Sequence, residues 1–262
     1  MPDPVPTAPE TLGRPVYFVR PHSVLQEQLL TELIHHEHEV AVLEDHTKVP
    51  ALLRLHPNAI VFLNIDEGYK PAEWESLVGH LQKTAGSSGV HLGVLTYNDD
   101  PTLSKRYLMD LGVSAGFVKL SLGLNESTQT ILKVLDANEA KGRRQYLRVH
   151  CRENTGTFNI GFEGRHWQGT LVELSSSAMA GYFHSDPGLP ARVLIGDLQL
   201  RLYGTLCPAS ALALGSRPHG DQELRYFLFD PKTPEATKDR IRWFIRKTLQ
   251  ANLDQEMAEV PQ

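Results

Sequence analysis

A chain of 262 residues, 41% of them hydrophobic, has room for two ordinary domains, each with its own core. Its formal net charge of −5 argues against a general nucleic-acid binder, which carries a basic surface. No run approaches the roughly 18 uninterrupted apolar residues of a membrane span, so no integral membrane segment is expected.

From Met1 to Arg14 the chain is rich in Pro and Thr, with no cationic start leading into an apolar run. It does not read as a signal peptide, and a cytoplasmic location is expected. The two cysteines, Cys151 and Cys207, have the spacing of neither a zinc nor a redox motif and read as small apolar fillers.

Beyond Arg14, short apolar runs alternate with helical patterns, as in a parallel α/β sheet. Val16 to Val19 is the first strand. A helix follows from about Ser23, placed as its N-cap, to His36, with Leu25, Leu29, Leu30, Leu33 and Ile34 along one face. Glu39 to Leu43, Ala59 to Leu63, His91 to Leu95 and Gly116 to Leu120 are the next four strands, and Asn125 to Ala137 is the last helix. His35-His36-Glu37-His38 looks like a metal cluster, but its place at a helix C-terminus is explained by water and the negative end of the dipole. Asp66-Glu67-Gly68 reads as a solvated βα turn.

Five strands and five helices in this order resemble the response-regulator receiver, a flavodoxin-like doubly wound fold, over residues 14–138. A working receiver needs an acidic pair after its first strand and an aspartate after its third, for Mg²⁺ and phosphoryl transfer. Here those places hold Arg20-Pro21 and Asn64, while Thr96 and Lys119 match the family's threonine and lysine. The resemblance implies a receiver-like domain without phosphorylation chemistry. Phe117 and a helix from Thr102 to Leu111, carrying Leu103, Tyr107, Leu108 and Leu111, lie where receivers commonly pair, so a homodimer through this half is one expectation.

A polar stretch, Glu139 to Gly142, then marks a boundary, and a second domain is placed at 139–255. Tyr146 to Cys151, Thr157 to Phe162, Trp167 to Leu174, Met179 to His184, Val193 to Leu202 and Leu224 to Phe229 are strand-like, separated by turns. Six short strands suit a closed antiparallel barrel. A C-terminal helix is expected over Thr233 to Leu253, begun by Pro234, with Ile241, Phe244, Ile245 and Leu249 as its apolar face. Arg240, Arg242, Arg246 and Lys247 make the rest of it basic.

Arg143, Arg144 and Arg148 offer planar, permanently charged forks suited to phosphates or to a guanine O6/N7 edge. Glu173, 25 residues beyond Arg148, begins Glu-Leu-Ser-Ser-Ser-Ala. Together these resemble the PilZ family, which binds cyclic di-GMP through RxxxR and [D/N]xSxxG segments. Arg144 and Arg148 take the arginine places, while Glu173, Ser175 and Ala178 take the Asp, Ser and Gly places. The resemblance implies that the arginines hold phosphate and Hoogsteen edges, that Glu173 accepts from guanine N1–H and N2, and that Ser175 supports the turn. Glu173 is one methylene longer than the family's Asp. If residue 178 needs positive φ, the alanine Cβ costs roughly 1–2 kcal/mol, so binding is expected to be weakened rather than lost.

The resemblance thus implies a non-catalytic cytoplasmic effector with cyclic di-GMP as ligand, no cofactor, and a protein partner whose identity it does not give. The pairing of the two halves resembles an arrangement seen among spirochaete proteins, and motility, adhesion or envelope synthesis would be the kind of process controlled. No enzyme constellation is present at a usable spacing. The alternative is a barrel that has stopped binding nucleotide and serves as an interaction or oligomerisation module.

Overall fold

The computed structural model describes residues 13–85 and 89–260, except the side chains of residues 24, 25, 84 and 85. The helix-face position read at Leu25 and the stretch of residues 1–12 therefore lie outside the described residues. Two compact units are present: Met1–Gln145 with Asn252–Gln262, and Tyr146–Ala251. The division at Gln145/Tyr146 falls seven residues beyond the boundary read from the polar stretch.

In the first unit, β1 (Val16–Val19), β2 (Val40–Leu43), β3 (Ile60–Asn64), β4 (His91–Thr96) and β5 (Phe117–Lys119) form a parallel sheet in the order β2-β1-β3-β4-β5. Every residue of β1, β2 and β3 is buried, as expected for parallel strands covered on both faces, and their sequences, apolar apart from Asn64 at the end of β3, supply that. The helices α1 (Ser23–His35), α2 (Val49–Leu55), α3 (Pro71–Ala85) and α4 (Pro101–Lys105) lie in the connections between successive strands and α5 (Leu124–Ala137) follows β5, in the flavodoxin-like manner. Leu253 and Met257, from the end of the final helix, are buried in this unit's core, and Lys48 Nζ donates to the Met257 carbonyl at 2.8 Å.

Local readings differ from the structure in three places here. Ser23 is the first residue of α1; His22 holds the cap position and makes no side-chain capping bond. The expected helix from Thr102 to Leu111 is instead the short α4 followed by a π-helical turn, Arg106–Asp110. That turn buries Tyr107 and leaves Leu108 and Met109 exposed. His38 is not solvated: it is 1% exposed, because the chain after α1 turns inward to start β2.

The second unit is antiparallel. Its strands are β6 (Arg148–His150), β7 (Gly156–Phe162), β8 (Arg165–Ser175), β9 (Ala178–Phe183), β10 (Leu194–Leu202), β11 (Thr205–His219) and β12 (Gln222–Phe229). Six of them close a ring, β8-β7-β10-β11-β12-β9 and back to β8, so the six-stranded barrel is present. Its membership differs from the reading: β11 was not foreseen, and β6 pairs only with the far end of β8, beyond the stretch where β7 pairs. Closure leaves no edge among the six. Gly169 and Gly181 lie against the buried ring of Phe158, where a Cβ on either would collide with it.

The last helix, α6, spans Glu235–Ala258, beginning after Pro234 and running past Leu253. Ile241, Phe244 and Ile245 are fully buried as the apolar spacing requires, while Leu249 is half-buried beside a fully buried Thr248. Its cations are partly pinned. Arg242 pairs with Glu235 at 2.8 Å and Asp239 at 3.0 Å, and the Arg240 guanidinium lies 3.9 Å from the centre of the Trp243 ring.

Candidate functional site

Ligand chemistry in a doubly wound sheet belongs at the carboxyl ends of the strands. In the first unit this edge is filled by the protein's own groups. Asn64, fully buried, donates from Nδ2 to the Arg20 carbonyl at 2.7 Å and accepts the Asp66 N–H at 3.1 Å. Asp66 accepts the Thr96 hydroxyl on one oxygen and the Tyr97 N–H, at 2.8 Å, on the other. His22 Nε2 stands 3.3 Å from the same carboxylate, and Lys119 Nζ donates to the Asp99 carbonyl at 3.3 Å. Asp66-Glu67-Gly68 is the exposed turn after β3 that its sequence context suggested, and in it the Asp66 carboxylate also ties together the loops after β1, β3 and β4. Among the described residues, no group of three or more His, Cys, Asp or Glu is placed to hold a metal.

The barrel brings together a different set. On β6, Arg148 and His150 face outward while Val149 points in. The register places Arg148 opposite Ser175 and His150 opposite Glu173, so the four share one face of the β6/β8 pair. Arg148 Nη1 donates to Glu173 Oε2 at 3.0 Å, and His150 Nδ1 lies 3.8 Å from Oε1. The Glu173 side chain is 13% exposed and Arg148 44%, so the carboxylate is the fixed, sheltered member and the arginine the outer one.

Ser175 is 4% exposed, and its hydroxyl is engaged within the β8–β9 hairpin, accepting the Ala178 N–H and donating to the Ala178 carbonyl, both at 3.0 Å. Ala178 opens β9 and is not among the described residues with positive φ, so its Cβ causes no backbone strain. Opposite Glu173 on the other side of β8 stands Ala180, and opposite Ala180 stands Tyr226 on β12.

Arg143 and Arg144 are exposed and lie in irregular chain just before the division at Gln145/Tyr146. Within the first unit, Arg143 lines a cavity of about 490 Å³ together with Arg14, Lys141, Asp136 and Glu139. Sequence reasoning missed His150, whose signal was its i+2 relation to Arg148 on a strand.

Burial, and then the Glu173 carboxylate, push the Cys151 thiol up to about 12; Cys151 follows β6 directly and donates its N–H to the Val172 carbonyl at 2.8 Å. Burial likewise raises the Cys207 thiol, opposed by the nearby Arg240 cation. Neither is a nucleophile in this form.

No protein-family model matches the sequence, and no curated protein matches it. Solved structures do. The PilZ domain of YcgR from Escherichia coli with c-di-GMP is 12% identical, over 45% of this chain and 99% of that one, with a TM-score of 0.37. The K. pneumonia MrkH–c-di-GMP complex is 13% identical over 45% of this chain and 56% of its own, at 0.37. PlzA of Borreliella burgdorferi, in complex with c-di-GMP, is 20% identical over 42% and 52%, at 0.29. The chain thus spans about half the length of MrkH and of PlzA.

Proposed function

We propose that the chain is a cyclic di-GMP-binding signalling effector, with Arg143, Arg144, Arg148, Glu173, Ser175 and Ala178 forming or supporting the ligand site. The observation that carries this reading is the shared outer face of β6 and β8, which sets a guanidinium fork beside a fixed carboxylate. The fork suits phosphate or the O6/N7 edge of guanine, and the carboxylate suits its N1–H/N2 edge. Arg144 and Arg143 add charge from the preceding chain, while Ser175 acts by closing the hairpin that presents Glu173.

The RxxxR segment straddles the division of the chain, so ligand capture there would act on the connection between the two units and pass the signal through their arrangement or through a protein partner. In the same reading the first unit is a receiver-like domain without phosphoryl chemistry, since Asn64 is an amide and Arg20 replaces an acid. It serves as a docking or homodimer surface, with Leu108 and Met109 as its exposed apolar members. Among the described residues no helix is long and apolar enough to cross a membrane.

One observation favours the alternative, a barrel that no longer binds nucleotide. Arg148 and Glu173 already satisfy each other. Calorimetric titration of the full chain with cyclic di-GMP, beside Arg144→Ala and with GTP as control, separates the two. Saturable binding absent with GTP and reduced about tenfold to a hundredfold in the variant supports the effector. No heat and no thermal shift at any concentration leaves the interaction module.

A further inference from the structure

The groups that would grip the nucleotide are paired with each other. Arg148 and Glu173 are diagonal neighbours on one face of an antiparallel strand pair, and their long side chains span that diagonal to meet at 3.0 Å. In this state the arginine's fork is turned to an internal anion, and a carboxylate oxygen suited to a guanine edge already accepts from a guanidinium.

We propose that this ion pair is a latch that the nucleotide must open, and that the length of Glu173, more than its charge, sets the resting affinity of the site. The inference rests on the cyclic di-GMP reading and concerns the regulation of that same site.

The geometry argues for length. A carboxylate on the same Cα but one methylene shorter ends about 1.5 Å nearer the strand. Taken from a 3.0 Å contact with Arg148 in its present rotamer, that retraction moves the oxygen beyond the range of a direct hydrogen bond, so Arg148 must leave that rotamer to restore it, while the backbone that presents the carboxylate is unchanged. Glu173 is held by its burial and by the hairpin that Ser175 closes, so it has little freedom to turn away by itself. Arg148, nearly half exposed, is the part that swings. Opening exchanges one charge-assisted contact for others made to the ligand, so the net gain on binding is smaller than for a site whose fork stands free. His150 Nδ1 stands 3.8 Å from the second carboxylate oxygen, on the same face of the strand pair.

The test is calorimetric titration of the full chain with cyclic di-GMP for wild type, Glu173→Asp, Glu173→Asn and Arg148→Ala, each checked for a native thermal transition. Both short-armed variants free Arg148. Asp keeps the charge and Asn removes it, so the pair also covers the case in which one of them fails to fold. The expected result is at least about tenfold tighter binding by Glu173→Asp, with Arg148→Ala weaker than wild type. Binding seen only in a short-armed variant also supports the latch. If wild type binds and neither short-armed variant binds more tightly, the latch is wrong and the ligand reading stands. If no variant binds, the ligand reading falls and the latch with it.

Discussion

The hydroxyl of Thr96 donates to one oxygen of the Asp66 carboxylate, while its other oxygen accepts the N–H of the next residue, Tyr97, at 2.8 Å. The end of β4 is thereby tied to the loop after β3, 30 residues away in sequence. Replacing Asp66 with Ala leaves the fully buried Thr96 hydroxyl and the Tyr97 N–H without this acceptor. A loss of about 1–3 kcal/mol is expected for the unit that contains them. Urea unfolding followed by the fluorescence of Trp74, which is buried in that unit, reads the change. An unchanged midpoint would show that the carboxylate is not a structural hub.

Ala178→Gly restores the residue found at this place in the second PilZ motif. The structure gives no reason for that to help, because Ala178 has ordinary strand backbone and pairs with Leu228 on β12. Glycine there adds freedom to the unfolded chain, and a destabilisation of about 0.5–1 kcal/mol is expected. Cyclic di-GMP affinity should stay within about threefold of wild type, as measured by titration. A larger gain in affinity would mean that the Cβ obstructs the ligand directly.

The strands of the first unit are legible in the sequence because β1, β2 and β3 are buried on both faces and appear as compact apolar runs, broken only by Asn64 at the end of β3. β11 is not legible for the opposite reason. Its inward positions, Cys207, Ala209, Ala211 and Ala213, are small, and Pro208 and Ser210 between them and Gly215 after them look like turn residues. Pro208 is tolerated at an exposed position, and Gly215 follows a break in register, so neither ends the strand. At the candidate site the residue types were legible, but the ion pair was not. Arg148 meets Glu173 through a cross-strand register that the 25-residue gap does not encode. The partners of Asp66 were hidden for the same reason, since they come from other loops, while its place in an exposed turn was legible.

Cys151 lies where β6 joins the barrel, and its thiol is held near 12 by burial and by the Glu173 carboxylate. At about pH 8 the thiolate fraction is then roughly a thousandfold below that of the unfolded chain, and labelling by a thiol reagent should slow by a similar factor. Peptide mapping after timed labelling, native against denatured, measures this. Rapid native labelling of Cys151 would show that β6, and Arg148 with it, opens readily.

His38 gives the first unit an acid-sensitive point. Burial, and after it the Lys141 cation, lowers this imidazole to about 4, with Asp136 opposing the shift; both ring nitrogens lack partners. The folded state therefore holds His38 neutral, while the unfolded chain takes up a proton near 6.5. Between those values the unfolded state binds more protons, so stability rises with pH. The contribution is fully present above about pH 6.5 and is lost as pH falls toward 4, the loss reaching about 2 kcal/mol at pH 5. His38→Leu removes the titrating group and two unpartnered nitrogens, so its urea midpoint should change less than that of wild type between about pH 7.5 and pH 5. An equal loss in both proteins would place the acid sensitivity elsewhere. A smaller loss in the variant identifies the buried imidazole as the acid-sensitive group of this unit.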